Sequence, residues 1–182
     1  MKIYTRKGDD GSTGLFHGGR MAKDDTGPEA YGAVDEAVSS LGVVRAAAPE
    51  ALATAVLGVQ RALFVVAAEL ATGVGNRSKL VPGESLVTAE MVASLEDRID
   101  EIEADSGSPT DFVVPGDSGV AATLDVARTT VRRAERRAVA HMGTVGVEDS
   151  HVVPFLNRLA DYLYVLARSE ETTWTSSKEQ ES

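Results

Sequence analysis

Cysteine is absent from the chain. That excludes disulfides, thiolate metal sites and a cysteine nucleophile, and it suits a reducing cytosol. Histidine occurs only at His17, His141 and His151, too few for a histidine-rich metal centre. Aromatic residues make up 5% of the sequence, so the core must be built from Ala, Val and Leu. Those residues favour helices that pack closely through small side chains. Positive charge is also scarce: 18 Lys and Arg stand against 28 Asp and Glu, a formal net charge of −10. A broad basic surface for nucleic acid is therefore not expected. The start, "MKIYTRKGDDG", carries no apolar signal core. The apolar runs read as too short to span a membrane. The expectation is a cytoplasmic protein with neither nucleic acid nor membrane as a partner.

The 182 residues suffice for one domain with a real core. The expected division is a single domain over 1–175 and a disordered tail over 176–182. The segment from Met1 to Asp25 reads as a loop with a short extended piece at Lys2–Thr5. Helical periodicity then appears five times, over about 28–48, 50–72, 88–105, 118–142 and 150–174. Pro28 suits a first turn, and Thr88 is a fair N-cap. The second pattern is apolar over a wide arc, which suggests burial on several sides. The third carries an acidic face (Glu96, Asp97, Asp100, Glu101, Glu103), most simply solvated. "FVV" at 112–114 could be extended. The fold class is all-α: a five-helix bundle with an ordered N-terminal loop.

Against the acidic background, "RTTVRRAERR" places five arginines between Arg128 and Arg137. A helical wheel with Arg128 at its origin sorts them. Arg132 falls at about 40° and Arg136 at about 80°, with Glu135 at about −20° and Asp125 at about 60°. Leu124, Ala127, Val131, Ala134 and Ala138 fill the adjacent core arc. Arg133 lies at about 140° and Arg137 at about 180°, toward solvent. Two readings fit Arg128, Arg132 and Arg136: a surface of local charge pairs, or an anion site in which guanidinium forks grip phosphate oxygens.

The stretch Thr5–Lys23 holds five glycines, four basic residues and three hydroxyls. It is neither a Walker A nor a G-x-G-x-x-G sequence. A flexible arm and a phosphate cradle fit its composition equally. Asn157, Asp161 and Arg168 share one face of the fifth helix, which reads most simply as its solvated side. Asp35 adjoins Val34 and Val38 and could be partly buried, needing a cationic partner. Phe112 before "VVPG" reads as a core plug. Glu148 and His151 form half of a di-metal motif with no second half, so no protein-built metal site is expected.

Read together, "YTRKGDDGSTGL", "YGAVDEAVSSLG", "FVVPGDSGVAATLDVARTTVRRAER" and "FLNRLADYLYVLAR" resemble the PduO-type ATP:cob(I)alamin adenosyltransferases over about residues 3–168. The resemblance implies a five-helix bundle assembled as a homotrimer, with active sites between subunits. It implies ATP with Mg²⁺, and cobalamin as substrate. Reduced cobalt would attack the ribose 5′ carbon of ATP, forming adenosylcobalamin and triphosphate; a flavoprotein reductase is a potential partner. Thr5, Arg6, Lys7, Gly8, Thr13, Gly14 and Lys23 would fall on the ATP-cradling loop. Arg132, Glu135, Arg136 and Asn157 would contact ATP and its metal, with Arg128 on the same face. Asp35 would pair with Arg132 of a neighbouring subunit, and Phe112 would occupy the lower face of the cobalt. Asp117 replaces the second Gly of a usual "PGG", and Asp125 stands where the family often has His. A non-catalytic nucleotide- or corrinoid-binding oligomer keeps the same arginines, and a plain helical scaffold keeps them as ion pairs.

Overall fold

A computed structural model describes residues 3–178. Five α-helices carry the fold: α1 (Thr26–Ala47), α2 (Glu50–Leu70), α3 (Ala89–Ser106), α4 (Gly119–Val145) and α5 (Val152–Ser169). A short 3-10 helix, Val74–Lys79, lies in the connector between α2 and α3. Two three-residue strands, β1 (Ser12–Gly14) and β2 (Arg20–Ala22), pair antiparallel with Ser12 opposite Ala22. The extended piece expected at Lys2–Thr5 does not form over residues 3–5, and Lys2 lies outside the described residues. Extension occurs further on, where Gly18 and Gly19 at φ 98° and 96° turn the chain between the strands.

Helix α1 packs on α2 and α4, and α5 packs on α4 and α3. Ala30, Ala33 and Ala37 of α1 are buried, as are Ala127, Ala134 and Ala138 of α4. Small residues on both helices let the backbones approach closely. Leu41, Leu63, Leu124, Phe155, Leu156, Leu159 and Leu163 fill the centre. The Thr88 hydroxyl accepts from the Met91 N–H at 3.4 Å, and the Ser118 hydroxyl accepts from the Ala121 N–H at 3.0 Å. These bonds satisfy helix-start donors that lack an intrahelical acceptor.

The boundaries of α5 and of the tail correct the expectation. Helix α5 ends at Ser169, well short of Trp174. Trp174 donates its indole N–H to the Arg168 carbonyl at 3.2 Å, capturing an acceptor at the helix end. Ser176, expected in the disordered tail, instead forms a β-bridge with Val113. The extended reading of "FVV" therefore holds at Val113, with the tail as its partner. Residues 179–182 lie outside the described residues.

One further correction concerns α2. By length and composition its 21 residues are enough to cross a membrane, and an 18-residue window within them reaches a mean hydropathy of 1.8. The expectation that the apolar runs are too short to span a membrane does not hold for this helix by length and composition. In the bundle, Val56, Leu63 and Val66 of this helix are fully buried.

Candidate functional site

The five arginines of α4 have three different fates. Arg133 and Arg137 are not free in solvent but reach across to α1, pairing with Glu36 and with Glu29 (3.0 Å for the latter). These exposed pairs add little stability. Arg128 donates Nε to Asp125 at 3.0 Å and lies over the Tyr164 ring at 5.9 Å. Arg132 and Arg136 are exposed and make no ion pair among the described residues. Beside them Asn157 of α5 donates Nδ2 to Glu135 Oε1 at 3.0 Å. Asn157 thus joins Glu135 of the predicted face across the helix junction, whereas Asp125, placed on that face by angle, is buried.

The Thr5–Lys23 loop is ordered by two cations. Lys23 donates Nζ to the Gly8 carbonyl at 2.7 Å. Arg20 donates to the Lys7 carbonyl at 2.6 Å and to the Ser12 hydroxyl through Nε at 3.0 Å. Asp10 accepts from the Ser12 N–H and hydroxyl, which holds its carboxyl below the usual range. A Cβ on Gly8 would stand 3.0 Å from the Ser12 carbonyl oxygen, so only glycine fits this turn without displacement. Gly14 faces open space. Thr5, Arg6 and Lys7 are exposed, and Thr13 is half-buried with its hydroxyl beside Tyr31. Arg20 was not singled out by sequence reasoning; its signal was its place opposite Gly14 across a Gly-Gly turn.

Within one chain these groups do not all meet. Among the described residues no hydrogen bond or ion pair joins the loop to Arg128, Arg132 or Arg136. Asp35 is exposed rather than partly buried. Its neighbours Val34 and Ala37 take the inward arc of α1, leaving the carboxylate outside. Phe112 is not a core plug: it is 86% exposed. It borders an open cavity of about 370 Å³ with Pro109, Thr110, Asp111, Tyr164 and Lys178.

Both departures from the family pattern have partners. The Asp117 carboxylate accepts from the Thr175 N–H at 2.7 Å and the Thr175 hydroxyl at 2.8 Å, which holds its pKa low. Asp125 is buried and accepts from Arg168 Nη2 at 2.6 Å. Arg168, read from sequence as solvated, is 2% exposed. The reason is that Asp125 of α4, Tyr164 and Glu171 close around its guanidinium. Glu171 sits 2.9 Å from Arg168 Nε, and its burial pushes the carboxyl pKa up against the arginine's opposing pull. Arg168 also lies over Tyr164, at 5.2 Å.

Comparison with known proteins agrees with this architecture. The family model described as cobalamin adenosyltransferase matches residues 3–170, and the chain belongs to that family. A corrinoid adenosyltransferase of Citrobacter freundii is 43% identical over 173 residues, covering 94% of this chain and 96% of the relative. One from Bacillus subtilis is 39% identical, covering 92% and 86%. A variant PduO-type ATP:corrinoid adenosyltransferase from Lactobacillus reuteri, solved in complex with cobalamin and ATP, superposes with a TM-score of 0.83. It shares 31% identity, and the match covers 93% of each chain.

Proposed function

We propose that this protein transfers the 5′-deoxyadenosyl group of ATP to the cobalt of cob(I)alamin, forming adenosylcobalamin and releasing triphosphate. The observation that carries the proposal is the pair Arg132 and Arg136. They stand exposed and without ion-pair partners among the described residues, in a chain of net charge −10. Carboxylates are abundant, yet these two cations sit beside Glu135 and Asn157 and remain available for an anion.

The chemistry asks little acid–base work of the protein. The cobalt lone pair of cob(I)alamin attacks the 5′ carbon. The carbon–oxygen bond breaks, and its electron pair leaves on triphosphate. Cobalt passes formally from Co(I) to Co(III), and no proton moves. The protein must align cobalt, carbon and leaving oxygen, and stabilise the growing negative charge. Arg132 and Arg136 supply that charge stabilisation, and Arg128, oriented by Asp125 and Tyr164, extends it along α4. Thr5, Arg6, Lys7, Gly8, Thr13, Gly14 and Lys23 supply donors and room for the triphosphate. Glu135 uses only Oε1 on Asn157, leaving a carboxylate oxygen that suits a hard cation. Mg²⁺ there would neutralise part of the triphosphate charge. Phe112, on its exposed loop, takes the lower face of the corrinoid and excludes water and an axial base.

The separation of loop and arginine face within one chain supports a site between copies, in a homotrimer. Exposed Asp35 is then free to pair with Arg132 of a neighbouring copy. Val43 on α1 and Val126 and Val139 on α4, all more than half exposed, offer apolar surface for such a neighbour to cover. The activity belongs in the cytoplasm, with a flavoprotein reductase as the source of reduced cobalt.

The test is anaerobic incubation with ATP, Mg²⁺ and chemically reduced cobalamin, following the cobalt–carbon product by its spectrum. Product that depends on ATP, with stoichiometric triphosphate, is expected. ATP binding without triphosphate release would make the protein a carrier instead. Arg132→Ala should lower turnover by about 10²-fold, as loss of a charge-stabilising donor does, with the melting temperature unchanged. An unchanged rate overturns the role given to Arg132.

A further inference from the structure

The segment after α5 returns to the loop that carries Phe112 and is stitched to it residue by residue. The Ser177 N–H donates to the Phe112 carbonyl at 2.8 Å. The Val114 N–H donates to the Thr175 carbonyl at 2.8 Å, and Val113 bridges Ser176. Lys178 pairs with Asp111. Asp117 closes the ladder by holding both the N–H and the hydroxyl of Thr175. At its other end the segment is anchored in the core. Trp174 bonds the Arg168 carbonyl, and the Arg168 side chain is buried against Asp125 and Glu171.

We propose that the stretch Glu170–Lys178 is a strap that positions Phe112, and that Asp117 is its clasp. This rests on the role given above to Phe112 at the corrinoid's lower face. Phe112 is almost wholly exposed, so core packing cannot fix its loop. The loop also contains Gly116 at φ 132°, a conformation open to glycine and costly for other residues. What holds the backbone of Phe112 is the pairing with 175–177. The strap also supplies Lys178 to the wall of the cavity that Phe112 and Tyr164 border. Asp117 thus acts through Thr175 and the strap, not by touching substrate; it is a positioning residue. A corrinoid entering this cavity would meet a preformed aromatic face rather than a loop still to be ordered.

Trp174 is the only tryptophan in the chain and lies within the strap, so its fluorescence reports the strap directly. In Asp117→Ala, Trp174 emission should shift to the red and become about twofold more open to acrylamide, as a released surface segment does. The KM for corrinoid should rise about fivefold while the KM for ATP stays within about twofold, the signature of an effect confined to one substrate. The fraction of bound cob(II)alamin lacking an axial base, read by its absorption and magnetic circular dichroism, should fall. Asp117→Asn should restore all three readouts. Its amide oxygen can accept from the Thr175 N–H and its NH₂ can donate to the Thr175 hydroxyl. Unchanged Trp174 emission in Asp117→Ala overturns the clasp. A freed Trp174 with unaltered corrinoid KM and cob(II)alamin spectrum overturns the coupling to Phe112. A wild-type protein without transfer activity sinks the proposed reaction, whereas the ligand-free Trp174 measurement judges the strap independently.

Discussion

Replacing Glu69 by glutamine exchanges a single oxygen for an NH₂ group at a buried junction. Glu69 lies on α2 with its side chain fully enclosed. Its Oε1 accepts from Arg77 Nη2 at 2.9 Å and from the Ser150 hydroxyl at 2.7 Å, while Oε2 accepts from the Val87 N–H at 2.8 Å. One carboxylate thereby ties the 3-10 helix, the entry to α3 and the entry to α5 to the core. Glutamine keeps one acceptor oxygen. Turned toward Arg77 and Ser150, it leaves its NH₂ facing the Val87 N–H, donor against donor. A buried unpaired donor costs about 1–3 kcal/mol, and conversion of a charge-assisted bond to a neutral one adds about 1 kcal/mol. Arg77 retains some solvent contact and needs no further penalty. The sum is about 2–4 kcal/mol, and a domain of this size shifts by about 2–4 °C per kcal/mol. Thermal unfolding followed by circular dichroism should therefore show Glu69→Gln melting about 4–16 °C below the parent. The difference should survive about 0.5 M salt, because buried pairs are poorly screened. A melting temperature within about 2 °C of the parent would refute the claim that this carboxylate joins the three connectors.

Two further outcomes follow from local geometry. Gly8→Ala drives a Cβ to 3.0 Å from the Ser12 carbonyl and 3.1 Å from Lys23 Nζ. Because the loop is exposed, the melting temperature should hold while the KM for ATP rises about tenfold; an unchanged KM removes this turn from the ATP cradle. His141 is buried, with Nδ1 3.0 Å from the Thr26 hydroxyl, and burial lowers its pKa below 6.5. The folded state thus disfavours the protonated ring. Its stabilising contribution is present above the unfolded pKa and is lost as pH falls through the folded one. Urea midpoints measured between about pH 5 and 7 should rise with pH in the parent and more shallowly in His141→Asn. Equal slopes would remove His141 from the pH dependence.

The pattern of what the sequence disclosed follows from how many sides of each helix are covered. Helix α4 is amphipathic in the ordinary sense, so a wheel drawn from Arg128 separated its core arc from its outward arginines, but it set Asp125 on the arginine face, and Asp125 is buried against Arg168. Helix α5 is flanked by α3 and α4, and there the same construction misled. Asn157 and exposed Asp161 share a face with Arg168, yet only Arg168 lies where Asp125 of α4 and the strap close over it. A periodicity argument assumes one buried side, and it cannot register a polar side covered by elements distant in sequence. Glu69 went unread, although its signal was there: it follows Val66 by about one helical turn and adjoins Leu70, inside the apolar arc of α2. A carboxylate in that arc demands donors, although nothing local names Val87 and Ser150 as the residues that supply them. Phe112 failed for the opposite reason. Its apolar side chain suggested burial, but the backbone of its loop is engaged in pairing with 175–177, which leaves the ring outward. An exposed aromatic held by its backbone rather than by packing is poised for a ligand face. The residues that hold it, Asp117 and Thr175, lie 58 positions apart in sequence and meet only because α4 and α5 run side by side.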